Sequence, residues 1–91
     1  MIKNNIPDKI TINVAAKRIR GFIHRTPVLS SENINSLLNT KIFFKCENFQ
    51  KAGVFKSRGA VNAIFSLSDN ELKNGVATHS SGNHAQALAR A

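Results

Sequence analysis

The sequence predicts an α/β fold, a parallel sheet with flanking helices, of which this chain carries an incomplete part. Three observations lead there. Apolar residues recur at helical spacing over residues 8–23 and again after residue 56. Between them, Lys41-Ile42-Phe43-Phe44-Lys45-Cys46 is a short, β-prone apolar run of the kind found in buried strands. A second brief strand is expected at Val76-Ala77-Thr78, where the turn residues Ser80-Ser81-Gly82-Asn83 separate it from a helical stretch. Helices alternating with strands in this way build parallel sheets.

Taken in order, Ile12, Ala15, Ala16, Ile19 and Ile23 fall three or four residues apart and form one apolar stripe. Lys17, Arg18 and Arg20 fall mostly off it. Thr26-Pro27 should end this helix, because the residue before proline avoids the helical region. Ser30 or Ser31 can cap a second helix running to about Asn39, with Ile34, Leu37 and Leu38 apolar. Residues 47–55 contain Gly53 and read as a loop. A third helix starts near Lys56 and favours Val61, Ile64, Phe65 and Leu67 on one face. Ser68-Asp69-Asn70-Glu71 fits a capping box, so a short helix should run from about Asp69 to Lys73 and stop at Gly75. A last helix begins at His84. Phe43 and Phe44 are expected in the core, as is Cys46.

The totals bound the function. The chain has 91 residues, a formal net charge of +8 and 42% hydrophobic residues, the composition of a single folding segment, here residues 1–91. No apolar run approaches the roughly 20 residues of a spanning helix, and Met1 to Pro7 is too polar for a signal-peptide core. A cytoplasmic location without membrane contact is therefore expected. Cys46 is the single cysteine, so no internal disulfide can form. His24 and His79 lack the clustered partners a metal site needs, and no metal is expected. The basic stretch Lys17, Arg18, Arg20 and Arg25 raises nucleic-acid binding, but no motif for it accompanies the charge, and a solvated helix face is the simpler reading.

Two segments carry chemistry. Phe55-Lys56-Ser57-Arg58-Gly59-Ala60 puts a lysine at the start of a helix, where the dipole end disfavours a cation, and Arg58 adds a fixed positive charge nearby. Such surroundings suit a lysine that reacts as a nucleophile with an aldehyde to give a Schiff base, although this hexapeptide alone fits an ordinary exposed lysine near a helix start better. His79-Ser80-Ser81-Gly82-Asn83-His84 lies between a predicted strand and a predicted helix. A turn of this kind offers free backbone N–H groups to a carboxylate or phosphate, and Gly82 allows close approach. Ligands of open α/β sheets bind at this edge.

Together these segments are far more specific than either alone. Lys45-Cys46-Glu47-Asn48-Phe49-Gln50, Gly53 to Ala60 and His79 to Ala87 resemble the threonine dehydratase and serine racemase branch of the fold-type II pyridoxal-phosphate enzymes, whose fold is tryptophan-synthase-β-like. Thr26-Pro27-Val28 matches a threonine-proline element of the same family. Ser57 after the lysine, Gly59-Ala60 after Arg58 and a histidine after Asn83 separate the chain from the cysteine synthase and threonine synthase patterns. One departure is Val54, where the family often has serine.

The resemblance implies pyridoxal 5'-phosphate as cofactor and a small amino acid, threonine or serine, as substrate. It implies that Lys56 holds the cofactor and moves protons at the substrate α-carbon, that Phe55 packs beside the ring, and that Asn83 bonds the ring hydroxyl. Ser80, Ser81, Gly82, Asn83 and His84 would hold the substrate carboxylate, with Ser81 as acid and base on the face opposite Lys56. The expected reaction is dehydration to a 2-oxo acid and ammonia, with serine racemisation as the alternative. An interaction module without catalysis is the alternative of another class. The family's glycine-rich phosphate cup is not in this chain, so the sequence reads as the N-terminal segment of a longer, homo-oligomeric enzyme, inactive by itself.

Overall fold

The computed structural model describes residues 6–91; Met1–Asn5, and with them most of the polar Met1–Pro7 stretch, lie outside the described residues. Helix α1 (Lys9–Ile19) starts at a capping box, in which Asp8 accepts from the Thr11 backbone N–H at 2.7 Å and the Thr11 hydroxyl accepts from the Asp8 N–H at 2.9 Å. These bonds hold the Asp8 carboxyl below its ordinary pKa, the Thr11 N–H first among them. The helix ends before Thr26-Pro27 is reached. Phe22 donates its N–H to Ile19 in a tight turn, and its ring stacks on Phe65 at a centroid distance of 4.1 Å. The predicted stripe is thus cut short. Ile19 is buried, Ile23 is half-buried, and Ile12 remains exposed.

Strand β1 (Val28–Leu29) and strand β2 (Phe44–Lys45) pair antiparallel, Val28 with Lys45 and Leu29 with Phe44. The sequence does not mark Val28–Leu29 as a strand, and the pairing of these two strands is separate from the parallel sheet expected of the longer fold. The connection between them holds only helix α2 (Glu32–Leu38), capped by Ser31 and closed by Asn39 in the left-handed region at φ 47°, and the chain returns as a hairpin-like loop rather than a crossover. Val76-Ala77-Thr78 forms no strand, since no neighbouring backbone among the described residues pairs with it. Phe43 and Phe44 are 68% and 44% exposed, so the predicted buried strand has no sheet or helix over its face.

After two 3₁₀ turns, Glu47–Phe49 and Lys51–Gly53, come helix α3 (Lys56–Phe65), helix α4 (Asp69–Lys73) and helix α5 (Asn83–Arg90). The Ser68–Glu71 capping box is present as predicted, and Gly75 at φ +72° ends the α4 segment. α3 packs on α5 and on α1. The small core is Ile19, Ala60, Val61 and Ala87, where α1, α3 and α5 meet. No helix of the described residues is long and apolar enough to cross a membrane.

Candidate active site

The lysine predicted to react is the first residue of α3. Its helix has no capping side chain and no acidic residue in the first turn. The start is held in another way. The Ser57 side chain is buried and its hydroxyl donates to the Lys51 carbonyl. Arg58 makes a two-pronged bond to Glu47, Nε to Oε2 at 2.8 Å and Nη2 to Oε1 at 2.7 Å. Glu47 also accepts from the buried Thr26 hydroxyl, and Lys45 donates its Nζ to the Thr26 carbonyl at 2.7 Å. The Arg58 guanidinium holds the Glu47 carboxyl down to about 2, despite partial burial acting the other way.

A second tie lies beside this one. The buried Gln50 side chain donates to the His24 carbonyl at 2.8 Å and accepts from the His24 N–H at 2.7 Å. The segment 24–29 is therefore joined to 44–50 by backbone pairing at the strands, by Cys46 N–H to the Pro27 carbonyl, and by three side chains beyond. These ties carry the segment Gln50–Val54, where Ala52 sits at φ 59° and Gly53 at φ +67°, into the first turn of α3.

With Ser57 and Arg58 turned inward, Lys56 is left exposed. Its Nζ lies over the Phe55 ring, 5.3 Å from the centroid. Among the described residues the ion pair within 4 Å is Arg58–Glu47, so the Lys56 amine has no carboxylate partner. The positive charge that the sequence assigned to Arg58 near the lysine is offset by Glu47. Sequence reading missed Glu47 and Thr26 as partners. One signal was available: Glu47 is the one acidic residue between Glu32 and Asp69, set among Lys41, Lys45, Lys51, Lys56 and Arg58.

The second predicted segment opens α5. Asn83 is its first residue, Gly82 stands at the cap position, and no side chain caps it. Ser81, Gly82 and Asn83 are exposed, while Ser80 and His84 are half-buried. One internal bond shapes the loop, from the Gly82 N–H to the Ser80 hydroxyl at 3.2 Å. Gly82 has extended φ of −164°, and a Cβ placed there would meet no atom within 4 Å. The chain itself therefore does not require glycine at this position.

α3 and α5 pack together, yet no cavity is walled by both predicted segments among the three that stand out. One, of about 290 Å³, lies between α3 and α5 and is lined by Phe22, Ser57, Val61, Phe65, Ala87 and Arg90 among others. A basic groove of about 640 Å³ runs past Arg20, His24, Arg25, Lys45 and Arg58. The third, of about 210 Å³, lies under Val76, Thr78 and Leu88. Phe55, Lys56 and Ser80–His84 line none of them.

An exposed amine without an acid partner, an aromatic ring beside it and an uncapped, serine-rich helix start fit a carbonyl cofactor and an anionic substrate group. The chain belongs to the pyridoxal-phosphate dependent enzymes: the sequence model of that family matches residues 19–91. It is similar to serine racemase of Dictyostelium discoideum, 60% identical over 80 residues that make up 88% of this chain and 25% of the relative. It is also 51% identical over 86 residues to the beta-hydroxyaspartate dehydratase of Paracoccus denitrificans, 94% of this chain and 27% of that protein. Among solved structures, maize serine racemase superposes with a TM-score of 0.86 at 56% identity, over 90% of this chain and 26% of the other. The fold is thus part of a fold-type II pyridoxal-phosphate enzyme, and the chain spans about a quarter of the length of the relatives it matches.

Proposed function

We propose that the protein acts on a small β-hydroxy α-amino acid, with Lys56 as the residue that holds the cofactor and takes the proton from the substrate α-carbon. The observation that carries this reading is the exposed Lys56 amine, with no carboxylate partner among the described residues, on a helix start anchored by the two residues that follow it. Pyridoxal phosphate supplies the electron sink for the electrons left at the α-carbon. Phe55 would flank its ring, and the Asn83 amide would bond its ring hydroxyl. The Ser80–His84 loop offers hydroxyls and the uncapped N–H groups of α5 to the substrate carboxylate, which orients the α-proton towards Lys56.

Two outcomes are open to a substrate so held. Loss of the β-hydroxyl leads to a 2-oxo acid and ammonia, the dehydratase reading that the motifs favour for threonine or serine. Return of a proton from the opposite face, with Ser81 as its donor, inverts the α-carbon. The second reading is supported by the relatives, since serine racemases align at 60% and 56% identity and a dehydratase of a β-hydroxy acidic amino acid at 51%.

The test is to incubate the full-length protein and cofactor with L-serine, L-threonine and 3-hydroxyaspartate, and to measure 2-oxo acid and D-serine separately. Oxo acid as the main product establishes dehydration. D-serine with little oxo acid establishes racemisation. Neither product from the full-length protein, with cofactor attached at Lys56, favours a role without catalysis.

A further inference from the structure

The geometry points to Glu47 as a positioning residue for Lys56: with Arg58 and Thr26 it forms a clamp that replaces the missing cap of α3 and selects this lysine over its neighbours. The inference rests on the proposed role of Lys56 and adds residues that act on it from behind.

A helix start leaves its first backbone donors without intrahelical partners, and a capping side chain ordinarily keeps the first turn from fraying. α3 begins at Lys56, and the Ser57 and Arg58 N–H groups donate to the Val54 and Phe55 carbonyls at 3.3 and 3.2 Å, but Phe55 stands at the cap position and there is no capping side chain. In its place, two of the first three helical residues bond outward to earlier parts of the chain, Ser57 to the Lys51 carbonyl and Arg58 to Glu47. Glu47 is in turn seated by the Thr26 hydroxyl, and the Thr26 carbonyl accepts from Lys45. Successive helical residues are turned by about 100°. Anchoring residues 57 and 58 on the protein side leaves residue 56 directed away from it, as its exposure shows.

The clamp also sorts the nearby amines. Lys45 is occupied by the Thr26 carbonyl, while Lys56 makes no ion pair. The Glu47 carboxylate is committed to Arg58, with its pKa held to about 2 by that guanidinium. Glu47 therefore does two things at once. It fixes the turn that bears the lysine, and it is itself unavailable to the lysine.

The experiment treats the protein with pyridoxal 5'-phosphate, reduces with borohydride, and maps the pyridoxyl group over Lys41, Lys45, Lys51 and Lys56. Hydrogen exchange of amides 56–60 and far-ultraviolet circular dichroism are recorded on the same samples. Glu47→Gln should keep the helical signal, speed exchange in the first turn of α3, and lower the Lys56 share of the label relative to the other lysines by about tenfold, since small misplacements of a reacting group cost that much or more. The exchanged pair Glu47→Arg with Arg58→Glu should recover part of both. Should Glu47→Gln lose its helical signal, Thr26→Val, which removes the hydroxyl's bonds to Glu47 and Arg58, is read in its place. Unchanged exchange and unchanged label distribution in a folded variant would overturn the clamp. A wild-type protein that labels elsewhere than Lys56 would refute the proposed function instead. The exchange rates alone would then decide the clamp, slower exchange in wild type than in Glu47→Gln supporting it and equal rates overturning it.

Discussion

The turn that bears Lys56 and the loop that opens α5 are both uncapped helix starts, yet they are built differently. The first is tied to the chain before it by an ion pair, a hydroxyl–carboxylate bond and the Ser57–Lys51 bond. The second has one short-range bond within the loop, and the stretch from Asn74 to His79 before it is exposed throughout. A segment with few buried contacts opens locally at low free-energy cost. The lysine turn is thus made rigid by residues 24–58 themselves, whereas the loop takes little support from the described residues. A reactive lysine must be aimed before the substrate arrives. A loop whose task is to close on a carboxylate can gain order from the ligand it binds.

The sharpest way to break the comparison is Lys56→Ala. It should abolish the borohydride-trapped pyridoxyl group and lower turnover by about 10³-fold or more, the usual scale for a group that moves a proton in the transition state. Retention of a reducible bond to the cofactor would transfer the role to another lysine. In the loop, Ser81→Ala should slow racemisation by about 10²-fold while elimination falls much less, as read by D-serine and oxo-acid assays side by side. Equal losses in both products would place Ser81 in carboxylate binding rather than proton return.

Acid should separate the two regions next. Because the folded-state pKa of Glu47 is lowered from 4.5 to about 2, its contribution is present in full above about pH 5 and falls away as the pH drops towards 2. We expect a loss of about 2 kcal/mol across that window. The figure lies below what the shift alone would give, because the Arg58 side chain is 35% exposed and solvent screens the pair. Urea melts at several pH values should show the slope, and Glu47→Gln should flatten it. A slope that survives the substitution would assign the acid sensitivity to other carboxyls. The smallest effect is expected at Gly82→Ala. With no atom within 4 Å of the added Cβ, stability should change by no more than about 0.5 kcal/mol. Substrate affinity should fall if the glycine serves close approach of the ligand, as KM would show.

Local signals in the sequence were read well where the physics is local. The capping box Ser68–Glu71 and the cap at Ser31 depend on side chains reaching backbone a few residues away, and the end at Gly75 depends on a left-handed φ that glycine adopts freely; spacing and residue type alone encode these. The family followed from three short motifs in order, and the match over residues 19–91 agrees with it. The same reading erred where a partner was needed. Val76-Ala77-Thr78 has the composition of a strand, but a strand exists only by pairing, and no described residue pairs with it. Lys41–Cys46 yielded only Phe44–Lys45 as strand, and it pairs antiparallel with Val28–Leu29 across a connection that holds α2.

The sequence by itself determined the two candidate segments: a lysine opening a helix, and a serine-rich turn opening another. It did not reveal that Glu47, Thr26 and Arg58 meet, since their contact spans up to 32 residues and depends on how the hairpin-like strap closes. Nor could it show that Lys56 is left without a carboxylate. Spacing along one helix or turn fixes which side chains are neighbours there, but charge pairing between distant segments is decided only when packing brings them within a few ångströms. Here the tertiary structure paired Glu47 with Arg58 and left Lys56 exposed.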